Sequence, residues 1–209
     1  MKYSSNTEDD QYTTIRGIAR SELRVKKSRF FGLATSVKIE EEFTDFINGV
    51  KMEFPNATHY CYAFVMGTEA KRLTRSSDAG EPANSAGKPI LLAVESSGIH
   101  NVICVVVRYF GGVKLGIGGL IRAYGQTAKD CLNNAETVVR IPSVRLQIEM
   151  PYTCIGAVVN LVTRLRGKIL SMDQAEKARA IVYIRRSVVP SLEESIKAIN
   201  GDIVTSISK

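Results

Sequence analysis

Residues 104–132, CVVVRYFGGVKLGIGGLIRAYGQTAKDCL, constrain the fold more than any other stretch of the chain. Their apolar, β-branched opening, residues 102–107, has the length and the bounding turn signals of a buried strand. Their close is a helical stripe in which Leu120, Ile121, Tyr124, Ala128, Cys131 and Leu132 share one face. Between strand and helix lie Gly111, Gly112, Gly116, Gly118 and Gly119. Glycines there permit positive φ and close backbone approach. The pattern places Gly118 and Gly119 ahead of the helix and Arg122 in its first turn.

A strand, a glycine-rich loop and a helix N-terminus also form a potential anion site, because free N–H groups and the helix dipole both favour negative charge. Arg108, Lys114 and Arg122 flank the loop. Two readings stay open: a cradle for the phosphate of a nucleotide or nucleic acid, and a tight turn packed on its sheet. The run matches neither G-x-G-x-x-G in its dinucleotide context nor G-x-x-x-x-G-K-[ST]. A cation at a helix N-terminus is disfavoured by the dipole. Arg122 therefore asks for an anion, either Asp78 or Glu81 within the fold or a phosphate from outside. Arg75, Lys88, Arg108, Gly111, Gly112, Lys114, Gly118, Gly119 and Arg122 are the candidate phosphate or nucleic-acid ligands, with Asp78 and Glu81 as their acidic partners.

The acids of DAGEP, Asp78 and Glu81, also fit a metal site or an acid/base pair. The simpler reading is an acidic turn paired with local N–H groups or with Arg75 and Lys88. Ser76, Ser77 and Ser85 sit in no nucleophile motif, and His59 on a strand is more readily a structural hydrogen bonder than a catalyst. No catalytic residue, metal or cofactor is assigned. The cysteines Cys61, Cys104, Cys131 and Cys154 form no C-x-x-C and fall mostly inside apolar patterns, so buried free thiols are expected.

Along the chain, residues 1–14 are polar and expected to be loosely ordered. Residues 16–25 read as an edge strand or lead-in. A strand follows over residues 27–37, then a helix opened by Glu40, Glu41 and Glu42 and ended at Pro55. Residues 59–66 read as a strand covered on both faces, residues 67–87 as a long polar loop, and Pro89 opens another helix. Residues 138–142 read as a linker. Beyond it the order is β-α-β-β-α-β, that of the ferredoxin-like fold.

The stretch GKPILLAVESSGIHNVICVVVRYFGGVKLG, residues 87–116, resembles the signature of the YigZ/IMPACT family. DAGEPANSAGKP resembles that family's DDGEPSGTAGKP and departs from it at Ala79, Ala83, Asn84 and Ser85; THYCYAF from Thr58 resembles its THxCxAY-type strand. The resemblance implies an α+β protein of two domains. The first, over residues 15–139, would be like domain 2 of ribosomal protein S5. The second, over residues 143–209, would be the ferredoxin-like one. Members are similar to the fourth and fifth domains of elongation factor G. Eukaryotic relatives regulate translation under amino-acid stress by competing for an activator of an initiation-factor kinase. They do so with an extra N-terminal domain not expected here.

The chain carries 28 Lys+Arg against 21 Asp+Glu, a net charge of +7. The excess concentrates in residues 140–209, with 11 basic against 6 acidic residues. A basic second half suits an acidic partner such as RNA. No apolar run reaches the roughly 20 residues of a membrane span, and the N-terminus has no apolar signal core, so a cytoplasmic protein is expected. The expected function is non-enzymatic binding of RNA or the ribosome with a translation-linked role. The alternatives are an enzyme acting on a nucleotide or phosphorylated small molecule at the glycine loop, and a module binding a protein of the translation machinery.

Overall fold

A computed structural model describes residues 11–67, 72–174 and 176–207. The contacts divide the chain into two compact units, Tyr12–Arg140 and one containing Ile141–Lys209.

The first unit is built on a five-stranded antiparallel sheet. Its strands are β2 (Ile18–Val25), β3 (Ser28–Ser36), β4 (His59–Met66), β5 (Leu73–Ser77) and β6 (Val102–Tyr109), in the order β2-β3-β6-β4-β5. The central strand β6 is buried along nearly its whole length, which explains its unbroken apolar composition. Strand residues alternate between faces. Val102, Cys104 and Val106 meet Ile90 and Val94 of α2 (Gly87–Ser96) and Leu120, Tyr124 and Ala128 of α3 (Ile117–Asn133). Ile103, Val105 and Val107 face the other core, which contains Phe43 and Val50 of α1 (Glu40–Glu53). There Phe43 stacks on Phe64 with ring centroids 4.5 Å apart. Each such fully buried side chain contributes about 1.5–3 kcal/mol of transfer free energy. β4 is covered on both faces for the same reason.

A separate antiparallel pair joins β1 (Tyr12–Ile15) to β7 (Thr137–Arg140). Residues 12–14, expected to be loosely ordered, are thus strand, and so are the first three residues of the expected linker; residues 1–10 of the N-terminal expectation lie outside the described residues. β5 likewise occupies part of the expected long loop, of which residues 68–71 are outside the described residues. The misreadings of the linker and of the long loop have one cause. β5 and β7 are short and mostly exposed, so neither shows an apolar alternation and only pairing with a partner defines them.

The second unit is a four-stranded antiparallel sheet of β8 (Ser143–Met150), β9 (Lys168–Gln174), β10 (Ala178–Arg185) and β11 (Val204–Ile207), in the order β11-β8-β10-β9. Helices α4 (Ile155–Arg164) and α5 (Val189–Ile199) fill the connections. One core joins Leu146, Ile148, Ala180, Val182 and Ile184 of the central strands to Val158 and Val162 of α4 and Leu192 and Ile196 of α5.

Candidate functional site

The site lies where β6 ends. Asp78 follows β5 and caps α2 from a distance. Its Oδ1 accepts the Ala86 and Gly87 N–H groups at 2.9 and 2.8 Å, and its Oδ2 accepts Asn84 N–H at 2.9 Å. Burial alone would raise this carboxyl, but the three N–H donors outweigh it and hold it below the usual carboxylate range. Asp78 therefore closes the DAGEP loop onto the helix start.

Glu81 points inward from the same loop. Its side chain is 4% exposed, and Oε1 accepts Arg108 Nη1 at 2.6 Å and the Tyr124 hydroxyl at 2.7 Å. The His59 Nε2 lies 3.8 Å away, while Nδ1 meets the Ala79 carbonyl at 2.9 Å. Arg108, at the end of β6, has its guanidinium between the rings of Phe30 and Phe110, at 5.5 and 5.3 Å. Its Nε has no hydrogen-bond partner among the described residues. Burial first, then the neighbouring Cys61 and Glu81, push the Tyr124 phenol up, so it stays a donor. Burial pushes the Cys61 thiol up to about 12, which removes it as a nucleophile at neutral pH. All four cysteines are free and buried. The cluster thus joins a loop, two strands and a helix through one buried ion pair, with its carboxylates already engaged.

The glycine loop lies just beyond. A Cβ at Gly111 would sit 2.0 Å from the Lys27 carbonyl group, so only glycine allows this approach. Gly116, at φ 72°, is the N-cap of α3. The helix therefore starts at Ile117, so Gly118 and Gly119 fall inside its first turn rather than ahead of it, and Arg122 falls in its second turn rather than its first. The cap geometry overrides glycine's poor helix propensity. Among the described residues no side chain caps this N-terminus, and its first turn has no acid. Lys114, Gly118 and Arg122 are exposed. An open groove of about 610 Å³ beside them is lined by residues including Lys26, Leu115, Gly119 and Arg122. Four exposed apolar side chains, Phe110, Val113, Ile117 and Ile121, share this shoulder.

The structure therefore gathers Gly111, Gly112, Lys114, Gly118, Gly119 and Arg122 on one exposed loop and helix start. The acid partner of the loop's arginines is found at Arg108, through Glu81, while Asp78 is engaged by backbone. Neither pairs with Arg122. Arg75 stands apart on β5, 3.7 Å from Glu40 and over the Phe64 ring. Lys88 is exposed in the first turn of α2. Sequence reasoning missed Tyr124 as a site residue. Its signal was a hydroxyl on an apolar helix face, which a buried tyrosine must satisfy. Among the described residues no cluster of His, Cys, Asp and Glu is placed to hold a metal, and no helix is long and apolar enough to cross a membrane.

The Impact N-terminal domain model matches residues 26–132, which carry both the Glu81–Arg108 pair and the glycine loop. The chain is 32% identical to IMPACT family member YvyE of Bacillus subtilis, over 88% of this chain and 84% of that one. It is 40% identical to an IMPACT family member of Thermus thermophilus, over 78% and 85% of the two chains. A crystal structure of a hypothetical protein aligns over 96% of this chain and 98% of its own, with a TM-score of 0.71 and 28% identity. The chain belongs to the IMPACT family.

Proposed function

We propose that this protein is a non-enzymatic RNA- or ribosome-binding protein of the cytoplasm with a translation-linked role. The observation that carries the reading is the start of α3. Its first-turn N–H groups have no side-chain cap, no acid stands among them, and Lys114 and Arg122 are exposed beside them with no ion pair among the described residues. Such a helix start attracts phosphate. The family's link with translation regulation and the basic second half of the chain support the same reading. The carboxylates that an acid/base mechanism would use are bound instead, Asp78 by backbone N–H and Glu81 by Arg108 and Tyr124.

In architectural terms we read the first unit as like domain 2 of ribosomal protein S5 and the second as ferredoxin-like. The β-α-β-β-α-β order and the strand order β11-β8-β10-β9 support the latter. A protein of the translation machinery as partner is the second reading. It is favoured by the exposed Phe110, Val113, Ile117 and Ile121 on the same shoulder.

The test is RNA affinity across a salt series for wild type, Lys114→Ala and Arg122→Ala, with a thermal melt of each. Phosphate contact predicts steep salt dependence and, for each variant, a log–log slope smaller by about 0.7, the value of one single-strand contact. Unchanged slopes and affinities would remove the loop from the interface.

A further inference from the structure

Within the second unit, among the described residues, helices cover one face of the sheet. Its helices take Leu146, Ile148, Ala180, Val182 and Ile184, all buried. The alternate residues of the two central strands form the opposite face. Tyr183 lies on it, two residues from the end of β10, and is 45% exposed. The strand register places Arg145 of β8 on one side of it and Lys168 of β9 on the other. Neighbouring strands are about 4.8 Å apart, so both cations lie within a side chain's reach of the ring. Arg185, two residues on along β10, is the third cation on this half of the face. Arg166, in the turn before β9, and Arg186, whose N–H bonds to the Pro142 carbonyl just ahead of β8, extend the charge around the same end of the sheet.

The acids of the face are at the other end. Glu149 pairs with Arg179 at 3.4 Å, and the register sets Asp173 beside that pair. The face is thus split by charge, with Tyr183 on the cationic side. A solubilising surface would mix the two signs. Solvent alone gives no reason for an exposed aromatic beside three cations with no acid next to it among the described residues.

We propose that this face is a platform for single-stranded RNA, on which Tyr183 stacks with a base while Arg145, Lys168 and Arg185 hold the adjoining phosphates. The proposal rests on the RNA reading above and adds a second contact surface to it. The chemistry fits a single strand because the bases of a duplex are already stacked on each other and offer no free face to a tyrosine.

The experiment uses the full chain and a fluorescent 12-nucleotide oligouridylate, with wild type, Tyr183→Ala, Tyr183→Phe, Arg145→Ala/Lys168→Ala and Lys114→Ala. Tyr183→Ala should weaken binding by about tenfold, within the range for loss of one stacked base. Tyr183→Phe, which keeps the ring, should stay within about twofold, and Arg145→Ala/Lys168→Ala should lower the salt slope by about 1.4. Ultraviolet cross-linking of wild type, which needs no variant to fold, should label the peptide carrying Tyr183. If Tyr183→Ala binds like wild type while Lys114→Ala weakens, the platform is overturned and the loop reading stands. If wild type binds no RNA, both fall. Equal losses on an RNA duplex, or cross-links confined to the first unit, would also overturn the platform. So would competition by polyglutamate as strong as by oligouridylate, which would point to an acidic protein instead.

Discussion

Removing the Glu81 carboxylate would leave the Arg108 guanidinium buried between Phe30 and Phe110 with no counter-charge. Breaking a buried pair from one side costs about 3–5 kcal/mol, so Glu81→Ala should lower stability by about that amount in urea melts. Tyr124→Phe removes one hydrogen bond to the same carboxylate and should cost less, about 1.5–3 kcal/mol. A Glu81→Ala midpoint equal to wild type would mean that the pair does not hold the loop. Asp78 contributes to the acid limb of stability. Its folded pKa lies below the ordinary value, so its contribution is complete above about pH 4 and is lost as pH falls through the folded value. Asp78→Asn should be less stable at neutral pH and should show a flatter loss of stability on acidification. Parallel curves for the two proteins would count against the cap. The expected pairing with local N–H groups holds for Asp78, but the partners of Glu81 were not legible: Glu81 and Tyr124 are 43 residues apart, and Glu81 and Arg108 are 27 apart. Only the sheet brings them together.

The element that positions the candidate site is α3 with the loop before it. Gly111→Ala would drive a Cβ into the Lys27 carbonyl group, which is backbone and cannot step aside. The expected cost is about 3 kcal/mol. Gly156→Ala in α4 meets nothing within 4 Å and should be neutral or stabilising by roughly 0.5–1 kcal/mol. Opposite signs in paired thermal melts would support the close approach, and equal small effects would refute it. The long buried elements were legible in the sequence because their apolar patterns are continuous. The strand read over residues 59–66 is found as His59–Met66, and Val102–Tyr109 follows directly from its unbroken run. The loop's tight geometry was legible in its glycines. The start of α3 was not, because a positive-φ cap at Gly116 draws two further glycines into a helix that their propensity disfavours.

At the scale of the molecule, charge and architecture run in the same direction. The first unit presents a helix start with no side-chain cap beside exposed cations, and residues 140–209 hold 11 basic against 6 acidic residues. If both units meet nucleic acid, affinity should rest on phosphate contacts and respond steeply to salt. The most direct measurement is sedimentation of the protein in lysate of its own cells through a sucrose gradient, at low and at high salt, with nucleic acid measured in each protein-bearing fraction. The account predicts that at low salt the protein travels with ribosomal particles or with free RNA, and that high salt releases it to the top. Protein that stays at the top at low salt, free of RNA, would contradict the account.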